Sequence, residues 1–189
     1  MKTKLTLDQL RTEDFFEIIE KDELESLIGQ GPQNSCVFNC FDYLDGDAHK
    51  WQYYARQTHR HLGYWAGSNG GVNTCDIATI GSYGDMLVME ANGNDSIAVG
   101  GDGSVTINGT RYSHGIITFQ ATDGSDKIGH AVVVLGTMIR DDGAVCILYH
   151  DPSAPAGQDR GYIVGTDYLS IYGVGQVGSY SNAGSLGYY

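Results

Sequence analysis

His130-Ala131-Val132-Val133-Val134-Leu135-Gly136-Thr137-Met138-Ile139, then Arg140-Asp141-Asp142-Gly143, then Ala144-Val145-Cys146-Ile147-Leu148-Tyr149 is the stretch that sets the architecture. Two runs rich in β-branched residues flank an Asp-Gly step. Asp-Gly supplies the positive φ that a tight β-turn needs, so the pattern predicts a hairpin. Shorter β-like runs lie on either side, at Ser104–Ile107, Gly115–Phe119 and Gly161–Val164. Upstream the period changes. Val37, Phe38, Cys40, Phe41 and Leu44 recur at helical spacing after Pro32, Asn34 and Ser35, which supply turn and capping chemistry. A second helix is expected from about Asp47 to Leu62. Helices therefore precede an antiparallel sheet, an α+β order. Residues 66–104 read as a Gly/Asn/Asp-rich connection around the apolar patch Met86–Met89, and Gly173–Tyr189 as an irregular tail.

Composition narrows the function classes. The chain has 189 residues, 41% of them apolar, enough for one globular core. Acidic residues outnumber basic ones 23 to 11, for a net charge of −12. Such a chain repels phosphate backbones, so nucleic acid is not an expected partner, and basic or neutral peptides are favoured over acidic ones. Ala131–Leu135 is among the longest apolar runs, far short of the ~20 residues a membrane helix needs. No membrane insertion is expected, and no Sec-type signal peptide is recognised at the start. Glycine, at 27 residues, points to strands and turns rather than a helical bundle.

The first thirty residues have their own character. Thr6 and Gln9 form a capping-box pattern. Leu10, Phe16, Ile19, Leu24 and Leu27 then make an apolar face, with acidic residues between them, up to Gly29. Such a helix is expected to pack against the body and partly hinder any nearby cleft. Its end, Glu23-Leu24-Glu25-Ser26-Leu27-Ile28-Gly29-Gln30, resembles the double-glycine leaders that bacterial ABC exporters remove from bacteriocin-like cargo, with Gln30 in place of the second glycine. The resemblance implies a leader or pro-segment over 1–30, an ABC exporter as a partner, and export to the periplasm or beyond. Without it the expected location is cytoplasmic.

Four cysteines, at 36, 40, 75 and 146, are too few to staple a domain of this size. Cys75 and Cys146 read as small buried hydrophobes, and Cys40 as core. Cys36 differs because it opens a helix, where unpaired N–H groups and the dipole favour a thiolate. A thiol nucleophile also needs a base on a rigid element and a group to orient that base. His130 opens the strongest strand, and Asp151 directly follows the next one. With Asp141-Asp142 at the turn centre, residue 130 pairs with about 153, which leaves Asp151 within two positions of His130. Zinc at His59, His61, Cys36 and Cys40 fits no structural spacing. Gly100-Gly101-Asp102-Gly103-Ser104 resembles the start of a calcium β-roll repeat, yet Val105 holds the aspartate position, so turn chemistry is the better account.

Gln30, Cys36, the Gly129-His130-Ala131-Val132-Val133-Val134 strand and Tyr149-His150-Asp151-Pro152 together resemble the papain-like cysteine peptidases, most closely their bacteriocin-processing branch. The resemblance covers roughly 30–165. It implies a papain-like peptidase domain over 31–189, with N-terminal helices packed on a C-terminal antiparallel sheet. Cys36 would be the nucleophile, His130 the general base, Asp151 its orienting carboxylate and Gln30 an oxyanion donor beside the Cys36 N–H. Gln33 or Asn34 could serve as donor instead. Val37 and Ser35 depart from the residues usual beside the family's cysteine. A peptide or protein is the implied substrate, and no cofactor or metal is required. Hydrolysis and transfer to another amine stay open. So does the alternative of an exported bacteriocin-like or binding protein that uses the fold without activity.

Overall fold

The computed structural model describes residues 35–46, 51–64, 71–123, 126–165 and 167–176. The leader-like segment, the 1–30 boundary, Gln30, Gln33, Asn34 and the first residues of the expected second helix lie outside them. Among the described residues two helices come first, α1 (Cys36–Asp45) and α2 (Trp51–Leu62). A 3-10 turn over Thr74–Asp76 leads into α3 (Ile77–Ser82). Nine strands follow: β1 (Met86–Glu90), β2 (Ile97–Val99), β3 (Val105–Ile107), β4 (Thr110–Tyr112), β5 (His114–Asp123), β6 (Asp126–Ile139), β7 (Val145–His150), β8 (Arg160–Val164) and β9 (Ser170–Gln176). The strands form a six-stranded sheet, β1-β9-β5-β6-β7-β8, and a three-stranded sheet, β2-β3-β4, with every pairing antiparallel. The expected α+β order is present. No helix among the described residues is long and apolar enough to cross a membrane.

Both faces of the large sheet are covered. On one face Ile116, Ala131, Val133, Tyr172 and Val174 pack against Val37, Phe38, Cys40 and Phe41 of α1 and against Ile77 and Ile80 of α3. On the other face Ile117, Val132, Val134, Ile147 and Ile171 meet Val105, Ile107 and Tyr112 of the small sheet. A strand buried on both sides reads as a continuous apolar run, which is why Ala131–Leu135 shows no alternation.

Three expectations need correction. Residues 66–104 are more than a connection: among them α3, β1 and β2 are regular, because Ile77, Ile80, Met86 and Val88 are all core residues. Gly173–Gln176 is not an irregular tail but part of β9, a strand internal to the large sheet. Its glycines permit close approach, since a Cβ at Gly173 would run into the Tyr112 ring. Cys75 is exposed rather than buried, because it sits on the short 3-10 turn and the apolar contacts of that segment come from Ile77 and Ile80. Cys40 and Cys146 are buried as expected.

The hairpin forms as the Asp-Gly step predicts, with the Gly143 N–H donating to the Arg140 carbonyl at 2.8 Å. Its register contains one irregularity. Ile139 pairs with Val145 and Gly136 with Leu148, but Val134 pairs with Tyr149, so a bulge lies between Val134 and Gly136. Extending the Val133–His150 pairing by three residues puts His130 opposite Ser153. Extending the Ile139–Val145 pairing by nine would instead put it opposite Ala154. One position is one face of a strand. The paired register ends at Val133–His150; by alternation His130 lies on the face opposite Val133, and Asp151, one residue past His150, leaves the strand toward that same face, where its carboxylate meets the imidazole.

Glycines hold this bulge. The loop at 100–104 closes on itself, the Gly100 N–H donating to the Ser104 carbonyl at 2.8 Å, and Asp102 pairs with Arg111. This is turn chemistry, as the sequence suggests. Gly103 has φ +84, and a Cβ on it would lie 2.7 Å from the Val134 carbonyl oxygen. A Cβ at Gly136 would lie 2.5 Å from the Gly101 carbonyl oxygen. Backbone meets backbone here, with no flexible side chain to yield. Gly136→Ala is expected to lower the unfolding free energy by about 1–3 kcal/mol. Chemical denaturation followed by circular dichroism measures this, and an unchanged midpoint would contradict the tight contact.

Candidate active site

Cys36 is the first residue of α1, and α1 packs on β6. The residue before it, Ser35, occupies the N-cap position but makes no side-chain cap bond. The expected serine cap is thus absent from the hydroxyl, although the Ser35 carbonyl accepts the first helical bond from the Asn39 N–H at 2.9 Å. The first-turn N–H groups, that of Cys36 included, receive no bond from this side chain.

His130 sits opposite Phe119 on the neighbouring strand. The two rings meet edge to face, 5.5 Å between centroids at 90°, and Tyr149 packs behind Phe119 at 5.7 Å. This aromatic backing limits the imidazole's rotation. Its Nε2 lies 2.6 Å from Oδ2 of Asp151, and both side chains are largely buried. Cys36 lies beside the same imidazole, close enough to act on its protonation, and the two border one cavity. With Nε2 engaged by Asp151, Nδ1 is the nitrogen that remains for the sulfur.

Asp151 is itself anchored. Its Oδ1 accepts the Ser153 N–H at 2.9 Å, and its own N–H donates to the Asp159 carbonyl at 2.7 Å. The adjacent His150 pairs with Asp159 at 3.1 Å and packs on Tyr43. The turn that carries the carboxylate is therefore tied at several points.

The electrostatics follow from this geometry. Burial alone would lower the His130 pKa. The hydrogen bonds and charges of Asp151 and Cys36 outweigh it and raise the pKa from 6.5 to about 9. For Asp151, burial pushes upward, but the bonds from His130 and the Ser153 N–H, with the charges of His130 and His150, hold it below the usual carboxylate range. Cys40, fully buried one helical turn from Cys36, has its thiol pushed well up, by burial first and then by the charges of Cys36 and Asp151. It is a core thiol.

Cys36 and His130 border a cavity of about 80 Å³ whose other walls include Val72, Ile77, Thr118 and Leu169. A larger, open cavity of about 560 Å³ lies beside Asp151, Asn39 and Tyr43, but neither Cys36 nor His130 lines it. Reacting atoms belong where the thiol and imidazole meet, so the smaller space is the relevant one. Among the described residues no group of three or more His, Cys, Asp or Glu side chains is placed to hold a metal.

Of the four site residues read from the sequence, Cys36, His130 and Asp151 converge, while Gln30 lies outside the described residues, as do Gln33 and Asn34. Sequence reasoning missed Phe119 and Ser153. Phe119 acquires its place only through the β5–β6 register, and Ser153 contributes a backbone N–H that no side-chain motif marks. Comparison of the chain with family models gives no match, and comparison with curated proteins gives none.

The raised histidine pKa has a consequence for stability. A folded-state value above the unfolded value stabilises fully below pH 6.5 and loses that contribution as pH rises through about 9. The unfolding free energy should therefore fall between these limits, by at most ~3 kcal/mol. Asp151→Ala should flatten that slope. Denaturant titrations at pH 6, 7.5 and 9 test this, and parallel profiles for the two proteins would contradict the pairing.

Proposed function

We propose that the protein is a papain-like cysteine peptidase that cleaves peptide bonds through Cys36, His130 and Asp151. The observation that carries the reading is the chain of contacts from sulfur to imidazole to carboxylate, assembled from three elements distant in sequence. A merely structural cysteine at a helix start has no need of a base, and a strand histidine has no need of a buried carboxylate. Their joint placement beside one small cavity is what a thiol nucleophile requires.

In the proposed reaction the Cys36 thiolate attacks the scissile carbonyl carbon and forms the S–C bond. The carbonyl electron pair moves onto oxygen, where the Cys36 N–H at the helix start is one donor for the oxyanion. Gln30 is the proposed second donor. His130, protonated at Nδ1 and held through Nε2 by Asp151, gives its proton to the departing amine as the C–N bond breaks. The neutral imidazole then takes a proton from water. The resulting hydroxide adds to the thioester carbonyl, the S–C bond breaks with sulfur leaving as thiolate, the acid product departs, and the thiolate–imidazolium pair is restored. An amine in place of water would give acyl transfer by the same steps. The alternative of an inactive binding protein on this fold would leave the three side chains without reason to converge, and their convergence favours the enzyme.

Residues 1–30 are proposed as a removable leader or pro-segment, read by an ABC exporter, on the strength of the Glu23–Gln30 pattern. Cleavage after Gly29 keeps Gln30, whereas cleavage after Gln30 loses it, so the first product is expected to be the active one. Intact-mass analysis of protein from its host should find the Gly29 cut; an unprocessed Met1 terminus on exported, active material would overturn the proposal.

The peptidase reading is tested by alkylation. Exposed Cys75 serves as an internal reference for Cys36. Iodoacetamide at pH 7 should modify Cys36 at least ~10-fold faster than Cys75, because the His130 imidazole stands beside the Cys36 sulfur as its base. In parallel, Cys36→Ala should abolish cleavage of a peptide library, by about 1,000-fold or more. Equal labelling of the two cysteines would sink the proposal.

A further inference from the structure

We propose that Asn39 is a positioning residue of this site, setting the carboxylate that holds His130; the inference rests on the peptidase reading. Asn39 lies on α1 one turn after Cys36 and is partly buried. Its amide nitrogen carries two hydrogens, and the structure gives each an acceptor. One bond runs to Oγ of Ser35 at 3.2 Å and the other to Oγ of Ser153 at 3.0 Å. The first partner immediately precedes the nucleophile. The second belongs to the turn that carries Asp151, and its backbone N–H donates to Oδ1 of that carboxylate.

The contacts close a ring. From the first turn of α1 the path runs through Asn39 to Ser153, on to Asp151, across to His130 and back to Cys36. Helix and turn are far apart in sequence, and Asn39 makes a side-chain bond between them. The hairpin register sets which face Asp151 occupies; Asn39 sets how far its turn stands from the helix. The same amide also engages the Ser35 hydroxyl, which makes no cap bond to the helix. The Ser35 hydroxyl therefore does not compete with an incoming oxyanion for the first-turn N–H groups. Alanine offers no donor, so both links end together.

Asn39 does not touch the sulfur or the imidazole, so its loss should act through Asp151 and show in the titration of His130. Iodoacetate is the suitable probe. Its carboxylate is attracted by the imidazolium, so its reaction with Cys36 declines at alkaline pH as His130 loses its proton. The full-length protein, Asn39→Ala, Ser153→Ala and the double variant would be compared, with thermal midpoints recorded. Ser153 is exposed, so its variant folds even where the helix substitution disturbs packing.

Asn39→Ala is expected to leave alkylation at pH 7 nearly unchanged and to slow it about two- to fivefold near pH 9, where the protonated imidazole becomes scarcer. The alkaline limb should move down by roughly half a pH unit or more. Ser153→Ala should move it in the same direction, and the double variant should be no slower than Asn39→Ala, because both act along one path. An unmoved alkaline limb in Asn39→Ala, or fully additive effects, would overturn the role of Asn39 while leaving the peptidase reading intact. A wild-type Cys36 that reacts no faster than Cys75 and shows no alkaline limb would overturn both.

Discussion

The arrangement depends on a one-residue bulge between Val134 and Gly136 in β6. Strand side chains alternate, so an extra residue anywhere between His130 and the Asp141-Asp142-Gly143 turn exchanges the two faces of one strand relative to the other. Without it the turn geometry would aim Asp151 away from His130. The bulge is stabilised by backbone packing from the 100–104 loop, where Gly101 and Gly103 approach β6 closely enough to leave no room for a Cβ at Gly136 or Gly103. A glycine-rich loop of the small sheet thus acts on the geometry of a carboxylate–imidazole pair some distance away.

A second constraint is electrostatic. Taking His130 and Asp151 largely out of water is unfavourable for both charged forms. Each is retained as a charge because the partner, the Ser153 N–H and the sulfur side together outweigh desolvation. The pair is therefore conditional on completeness. Removing one member leaves the other buried without compensation, which is why the protonation of the imidazole is a sensitive report on the whole constellation.

Much of the site is legible in the sequence, for identifiable reasons. The Asp-Gly turn and the two apolar runs establish a hairpin, and counting from the turn centre puts residue 130 opposite about 153, the pairing that the register near Val133–His150 extends to. That agreement is partly fortuitous, because the turn centre used for the count and the unseen bulge offset each other by one residue. Cys36 announces itself by opening a helix. What stayed hidden was set by tertiary contact. Gly173 and Gly175 look like tail composition, yet Tyr172 and Val174 between and beside them are core, and the bare backbone is needed where Tyr112 packs. Cys75 has the composition of a buried residue and an exposed place, since nothing local distinguishes it from Cys146. Phe119 becomes part of the site only through a strand pairing that no local pattern encodes.

The central claim is that Cys36, His130 and Asp151 form one coupled unit, and the most direct test is the titration of His130 itself. Proton NMR of the imidazole C–H, assigned by comparison with a His130→Gln variant, would follow its charge from pH 5 to 10. The account predicts a midpoint near 9, well above the ordinary 6.5, that falls when Asp151 is replaced by alanine. A midpoint at or below 6.5 in the unaltered protein, indifferent to Asp151, would contradict it.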